Sequence, residues 1–282
     1  MKLSEINIRD PFILLANGKY YMYGTRGSEA WGKSTGLDVY VSDDLDFWSE
    51  PHCVFAPPQN FWADRNFWAP EVHFFNGAYY MFVSFKSESR CRGTQILKAS
   101  SPLGPFELHS DGPVTPKEWE CLDGTLYVEN GTPYIVFCRE WLQVKDGEMY
   151  AMKLSDDLKE SAGECVYLFK ASDPSWSNKE RETFITDGPF MYKTKDGNLL
   201  MLWSSVCNNE YCEAITYSKS GSVLGPWKHD RRLLFEKNGG HGMIFSDKNK
   251  ELRFVLHQPN STPDERPVLF DLCEKNGSVY LN

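Results

Sequence analysis

The chain has 282 residues, 41% of them hydrophobic and 24% charged, a composition that excludes a disordered or fibrous protein. Thirty basic against 39 acidic residues leave a net charge of −9 with no basic stripe, which excludes a phosphate-tracking nucleic-acid binder. The longest apolar runs, such as Leu199-Leu200-Met201-Leu202-Trp203, fall far short of the roughly 18 residues of a membrane span, and Met1-Lys2-Leu3-Ser4-Glu5 opens no signal-like segment. No membrane partner is expected, and the expected compartment is the cytoplasm. The eight cysteines include no C-x-x-C pair and no zinc-like spacing, so they are expected to be reduced and mostly buried.

In chain order the sequence repeats one unit five times: an acidic or histidine anchor, a short strand, a turn, and a strongly apolar strand. The first runs Asp10-Pro11-Phe12-Ile13-Leu14, turns at Asn17-Gly18, and returns as Tyr20-Tyr21-Met22-Tyr23. The second starts at Glu71 and turns at Asn76-Gly77; the third starts at Asp123 and turns at Asn130-Gly131. The fourth starts at Asp187 and turns at Asp196-Gly197; the fifth starts at His241 and turns at Lys248-Asn249-Lys250. Asn-Gly and Asp-Gly between apolar runs signal hairpins, because a type I′ turn needs positive φ at both central residues. The intervening halves repeat as well: Ser42-Asp43-Asp44-Leu45 returns as Ser155-Asp156-Asp157-Leu158, and Leu103-Gly104-Pro105-Phe106 as Leu224-Gly225-Pro226-Trp227. Anchors roughly 50–65 residues apart leave room for four strands each, which predicts an all-β, five-bladed β-propeller with four antiparallel strands per blade. The repeat runs to the C-terminal strand without a linker, so residues 1–282 are expected to form a single domain, with long loops over 172–182 and 259–266.

In a propeller the innermost strands line the central channel, so Asp10, Glu71, Asp123, Asp187 and His241 are predicted to converge at one end. Carboxylates crowded there raise one another's pKa values unless cations or hydrogen bonds intervene, which is how a site acquires both an acid and a base. Asp and Glu also start strands by making turn hydrogen bonds, but four of five in register favour chemistry over that bland role. Paired carboxylates in an aromatic-rich groove suit glycosidic bond cleavage. Most tyrosines and phenylalanines read as blade core. Trp68, just ahead of an anchor, is the sugar-stacking candidate, with Trp31, Trp62 and Trp141 left open in loop-like contexts.

At these residues the chain resembles family 43 glycoside hydrolases, five-bladed propellers that include β-xylosidases, α-L-arabinofuranosidases and arabinanases. The matching motifs are Arg9-Asp10-Pro11, Trp68-Ala69-Pro70-Glu71, Leu122-Asp123-Gly124, Thr186-Asp187-Gly188-Pro189 and Gly240-His241-Gly242, in order along the whole chain. The resemblance implies Asp10 as general base, Asp123 as the carboxylate that tunes and orients the acid, and Asp187 as the general acid. It also implies inversion across a carboxylate separation of roughly 6.5–9.5 Å. Trp68, Glu71 and Arg266 would contact the sugar. No cofactor is needed for the chemistry, but His241 matches a histidine associated with a hydrated calcium or similar ion in the channel.

The chain departs from that pattern where Asp187 stands for the usual glutamate, about 1.5 Å shorter in reach. Either its backbone sits closer to the channel, or Glu182 or Glu213 supplies the proton, or the protein does not hydrolyse; the first fits the intact surrounding motif. Gly124 also replaces a more usual proline, and Glu71 a more usual aspartate. The expected function is an exo-acting, inverting glycosidase releasing terminal α-L-arabinofuranosyl or β-D-xylosyl residues from plant-derived oligosaccharides. The alternatives are a non-catalytic glycan-binding propeller and, less in keeping with four channel carboxylates, an interaction scaffold.

Overall fold

The structure is a computed structural model that describes residues 1–282. Twenty strands form five four-stranded antiparallel sheets, each built in chain order from one edge to the other. Blade one holds β1 (Ile8–Ala16), β2 (Lys19–Arg26), β3 (Leu37–Ser42) and β4 (His52–Phe55). Blade two holds β5 (Arg65–Phe75), β6 (Ala78–Lys86), β7 (Gly93–Ala99) and β8 (Glu107–Leu108). Blade three holds β9 (Cys121–Glu129), β10 (Thr132–Arg139), β11 (Glu148–Lys153) and β12 (Val166–Lys170). Blade four holds β13 (Asp187–Lys193), β14 (Leu199–Cys207), β15 (Glu210–Ser218) and β16 (Trp227–Phe235), and blade five β17 (Gly240–Ser246), β18 (Leu252–Gln258), β19 (Arg266–Lys275) and β20 (Ser278–Leu281). The protein is a five-bladed β-propeller. The only α-helix is the single turn α1 (Trp141–Val144), and no helix is long and apolar enough to cross a membrane.

The apolar runs are second strands, covered on both faces by adjoining blades, which is why they do not alternate. Met22, Tyr23, Met81, Phe82, Phe137, Met201, Leu202, Trp203, Phe254 and Val255 are essentially sealed from solvent. Burying each such side chain contributes about 1.5–3 kcal/mol. All eight cysteines are free thiols, and Cys53 is exposed.

The turns at Asn17-Gly18, Asn76-Gly77 and Asn130-Gly131 have positive φ at both residues, as a two-residue type I′ turn requires. The fourth and fifth differ. Lys193 pairs with Leu199 and Ser246 with Leu252, and only Gly197 and Lys250 carry positive φ in these wider loops. Asp196-Gly197 is therefore part of a wider loop and not a two-residue turn.

Each first strand carries a β-bulge at one equivalent place. The pairs Arg9–Thr25, Trp68–Ser84, Leu122–Cys138, Asp187–Ser204 and Gly240–His257 precede it, and Phe12, Glu71, Thr125, Phe190 and Met243 resume the register after it. The first bulge residue in each blade adopts positive φ: Asp10, Ala69, Asp123, Gly188 and His241. A non-glycine residue costs roughly 1–2 kcal/mol there, so the surroundings must hold it.

They do so by hydrogen bonds from the preceding blade. The N–H of Ala69 donates to Thr25 Oγ1 (2.8 Å), that of Asp123 to Ser84 Oγ (2.9 Å), that of His241 to Ser204 Oγ (2.6 Å) and that of Asp10 to His257 Nδ1 (3.2 Å). Those four acceptors occupy one equivalent position on the second strands. The fifth such position is Cys138, a weak acceptor, and the Gly188 N–H donates to Asp123 Oδ2 instead (3.0 Å). The second bulge residue is Pro11, Pro70 or Pro189, with no N–H to satisfy, or a glycine. The two glycines donate to third-strand side chains, Gly124 to Thr94 Oγ1 (3.2 Å) and Gly242 to Glu213 Oε2 (3.0 Å).

Candidate active site

The bulges turn the first residues of the inner strands into one end of the channel. Asp10, Asp123 and His241 converge there, each less than a tenth exposed. His241 Nδ1 lies 3.1 Å from Asp10 Oδ1 and 3.9 Å from Asp123 Oδ2. The ring lies against Gly188, where a Cβ would come within 2.7 Å of it, so the contact requires glycine there, and the positive φ that the other bulge residues bear at a cost is free for it. Asp187 enters from β13 just ahead of the bulge, is only partly buried, and accepts a hydrogen bond from the Tyr211 hydroxyl at Oδ2 (3.0 Å).

The register corrects the predicted equivalence of the anchors. The residues matching Asp10 are Ala69, Asp123, Gly188 and His241; Asp187 stands one place before the bulge and Glu71 two places after Ala69. Glu71 therefore lies at the level of Phe12, Thr125, Phe190 and Met243, where Oε2 pairs with His73 Nε2 at 3.0 Å. It is not one of the clustered channel carboxylates, because a bulge residue and a residue two places on look alike in a motif but differ by a step along the channel.

Asp10 is held from three sides. Thr25 Oγ1 donates to Oδ2 (2.6 Å), His241 faces Oδ1, and His257 Nδ1 accepts the Asp10 N–H, which leaves that nitrogen unprotonated. Burial alone would raise the Asp10 pKa, but the positive fields of His241 and Arg9 outweigh it and hold the carboxyl well below the usual range. Burial pushes His257 down to about 4. His241 moves the other way, to about 10, because Asp10, Asp123 and Asp187 together outweigh its burial. Asp123 is raised to about 6 by burial and by Asp10, with His241 opposing, and Asp187 to about 7 by burial and by Asp123. One carboxyl stays ionised while its neighbour keeps a proton near neutrality, which is the division of labour that acid/base catalysis requires.

Two arginines flank these carboxylates. Arg9 pairs with Glu265 Oε1 (2.5 Å), donates to Asn260 Oδ1 (2.7 Å), and places its guanidinium 5.1 Å from the Trp31 ring centre. Arg92 pairs with the buried Glu140 and stacks 4.0 Å from the Trp68 ring centre. Trp68 donates Nε1–H to the Ala30 carbonyl (2.6 Å) and meets the 62% exposed Trp31 edge-on at 5.4 Å. Arg266 is not brought to the carboxylates: its guanidinium is engaged by the carbonyls of Ser4, Pro263 and Glu265 at the start of β19. Arg9 and Arg92, and not the expected Arg266, stand beside the carboxylates.

Neither substitute acid is placed for the task. Glu182 is exposed in the loop before β13, and Glu213 is sealed beneath His241, where Oε2 accepts from Ser204 and Gly242. A hard cation takes six to eight oxygen ligands, or fewer with several waters. Around His241, Nδ1 faces Asp10, and no group of three or more His, Cys, Asp or Glu side chains is arranged to hold a metal ion. The donor set does not fit a calcium caged by protein ligands; a hydrated ion would have His241 as its protein contact and waters for the rest, and the acid/base chemistry needs no metal ion.

A propeller with carboxyl groups of opposed proton affinity at one channel end has the acid and base that glycosidic bond cleavage requires. The chain belongs to glycosyl hydrolases family 43, whose sequence model matches residues 3–275, and it is a glycosidase. It is similar to an endo-arabinase from Bacteroides thetaiotaomicron VPI-5482, with 38% identity, coverage of 99% of this chain and 98% of that one, and a TM-score of 0.91. It is also similar to extracellular endo-alpha-(1->5)-L-arabinanase 1 of Bacillus subtilis (strain 168), 23% identical over 83% of this chain and 71% of that protein. A thermostable family-43 glycoside hydrolase, 24% identical, shares the fold with a TM-score of 0.85 over 98% of this chain and 93% of its own.

Proposed function

We propose that the protein hydrolyses α-L-arabinofuranosyl linkages of plant-derived oligosaccharides with inversion of configuration. The carrying observation is the contrast between Asp10, bonded by Thr25 and facing His241, which hold it ionised, and the partly exposed Asp187, bonded at one oxygen by Tyr211 and with its pKa pushed up to about 7 by burial and Asp123. Asp187 gives its proton to the leaving oxygen as the C1–O bond breaks. Water attacks C1 from the opposite face and passes its proton to Asp10, so that sugar and alcohol leave with one water consumed. Asp123 orients the acid, Asp187, through the neighbouring Gly188 N–H. Arg9 and Arg92 flank the carboxylates, Trp68 stacks on Arg92 and the exposed Trp31 meets Trp68 edge-on, and these four are the proposed sugar contacts.

The arabinofuranosyl assignment is supported by the endo-arabinase and arabinanase relatives. It is tested by product release from wild type and Asp10→Asn on aryl and oligosaccharide arabinofuranosides, xylosides and galactosides. The expected result is turnover of linear arabino-oligosaccharides that falls by about 10²–10⁴-fold in the variant. Product lengths show whether cleavage starts at chain ends or within the chain. Turnover of xylosides alone would overturn the substrate, and an equally active Asp10→Asn would overturn the base.

A further inference from the structure

Asp187 is short, and Tyr211 provides the one side-chain hydrogen bond that fixes its direction. Tyr211 is itself locked. It lies on β15, is 4% exposed, and stacks on His257 with ring centres 5.6 Å apart and planes 23° from parallel. On another side Gly240 leaves space for it: a Cβ there would come within 2.7 Å of the Tyr211 ring. His257 in turn accepts the Asp10 N–H, so one rigid stack runs from the backbone of the ionised carboxylate to the carboxyl group that keeps its proton. Nothing in the motifs around the inner strands points to this residue.

We propose that Tyr211 is the positioning residue of the general acid: its hydroxyl ties up Asp187 Oδ2 so that the proton on Oδ1 is aimed at the leaving oxygen, at a distance from Asp10 set by the Tyr211–His257 stack. The inference rests on the reading of Asp187 as the acid. The charged and titratable groups facing Asp187 are Asp123 from β9, His241 from β17, Glu140 after β10 and Tyr211 itself. Those facing Tyr211 are Asp187, Asp10, Arg9 and Asp123, together with His257 of β18, which stacks on its ring and is held neutral by burial. Among the groups around Asp187, the phenol is the neutral donor in direct contact. Its hydrogen bond favours the ionised carboxylate, so removing it raises the pH at which the acid loses its proton.

Tyr211→Phe keeps the ring between Gly240 and His257 and removes only the hydroxyl. With thermal unfolding as a check on the fold, kcat on an arabino-oligosaccharide is expected to fall about tenfold or more, a part of what a general acid contributes. Turnover of an activated aryl arabinofuranoside, whose leaving group needs no proton, stays within about twofold of wild type, and the alkaline limb of the oligosaccharide pH profile moves upward. Equal losses on both substrates, or an unmoved alkaline limb, would overturn the proposal. Asp187→Asn, assayed alongside, separates the two readings. If it spares the oligosaccharide reaction, the acid assignment has failed. If it abolishes that reaction while Tyr211→Phe behaves as wild type, only the role of Tyr211 has failed.

Discussion

Four blade junctions and the fifth solve one problem with different chemistry. At four of them the N–H of a left-handed bulge residue is taken by Thr25, Ser84, Ser204 or His257, none of which is among the clustered carboxylates. At the junction of blades three and four Cys138 stands in that position, and the N–H of Gly188 turns to Asp123. A structural duty thus falls on a carboxylate of the site, and the residue beside Asp187 is bonded to the residue that raises its pKa. Scaffold and chemistry are coupled within one carboxylate at this junction; at the others the acceptor is a neutral side chain, of which Thr25 and His257 also bond Asp10.

Breaking that coupling is expected to have the largest effect. Asp123→Asn removes the charge but keeps an oxygen to accept the Gly188 N–H, so turnover falls by about 10²-fold or more while the unfolding free energy changes little. Asp123→Ala loses the same activity and about 1–3 kcal/mol of stability besides, because a buried N–H is left without an acceptor. Equal stability of the two variants in urea unfolding would show that the Gly188 bond contributes nothing.

The pH profile sharpens the same comparison. Asp187 must carry a proton and Asp10 must not. The raised pKa of Asp187 therefore sets a loss of kcat/KM as pH rises through about 7, roughly tenfold per unit beyond it, while the depressed pKa of Asp10 keeps the base ionised on the acid side. A rate that is flat from pH 6 to 9 would contradict the assignment of Asp187.

At an ordinary junction, Ser204→Ala strands the His241 N–H and removes the hydroxyl that donates to Glu213 Oε2 (2.6 Å), at an expected cost of about 1–3 kcal/mol. The smallest effect is expected for Cys138→Ser, which supplies a hydroxyl where the other junctions have an acceptor and shifts stability by less than about 1.5 kcal/mol. A larger loss from Cys138→Ser than from Ser204→Ala would show that the junctions do not share one design.

The propeller was legible because its determinants are local. Asn-Gly turns need particular backbone angles, and the apolar second strands are continuous because adjoining blades cover both faces. The clustering of Asp10, Asp123 and His241 followed from their equivalent places. Glu71 was misplaced because a bulge inserts one residue, and residue type alone does not show which member of Trp68-Ala69-Pro70-Glu71 takes the left-handed position. Thr25, Tyr211 and His257 were missed because they come from second and third strands, far from the motifs they support. One signal was present: counting back across the Asn17-Gly18 turn, with one residue allowed for the bulge, sets Thr25 opposite Arg9. Another was the exchange of proline for glycine at Gly124 and Gly242, each of which creates an N–H that needs an acceptor on the preceding blade. Arg266 and Arg9 could not be ranked from sequence, since their difference lies in which carbonyls and carboxylates the folded loop 259–265 presents to them.

The most direct test of the central account, a protonated Asp187 and an ionised Asp10 acting across a water molecule, is the configuration of the first-formed product. Proton NMR during wild-type hydrolysis of an α-L-arabinofuranoside should show the β-anomer of arabinose appearing first and the α-anomer growing in later by mutarotation. Initial release of the α-anomer would mean retention through a covalent intermediate, and would contradict the roles given to both carboxylates.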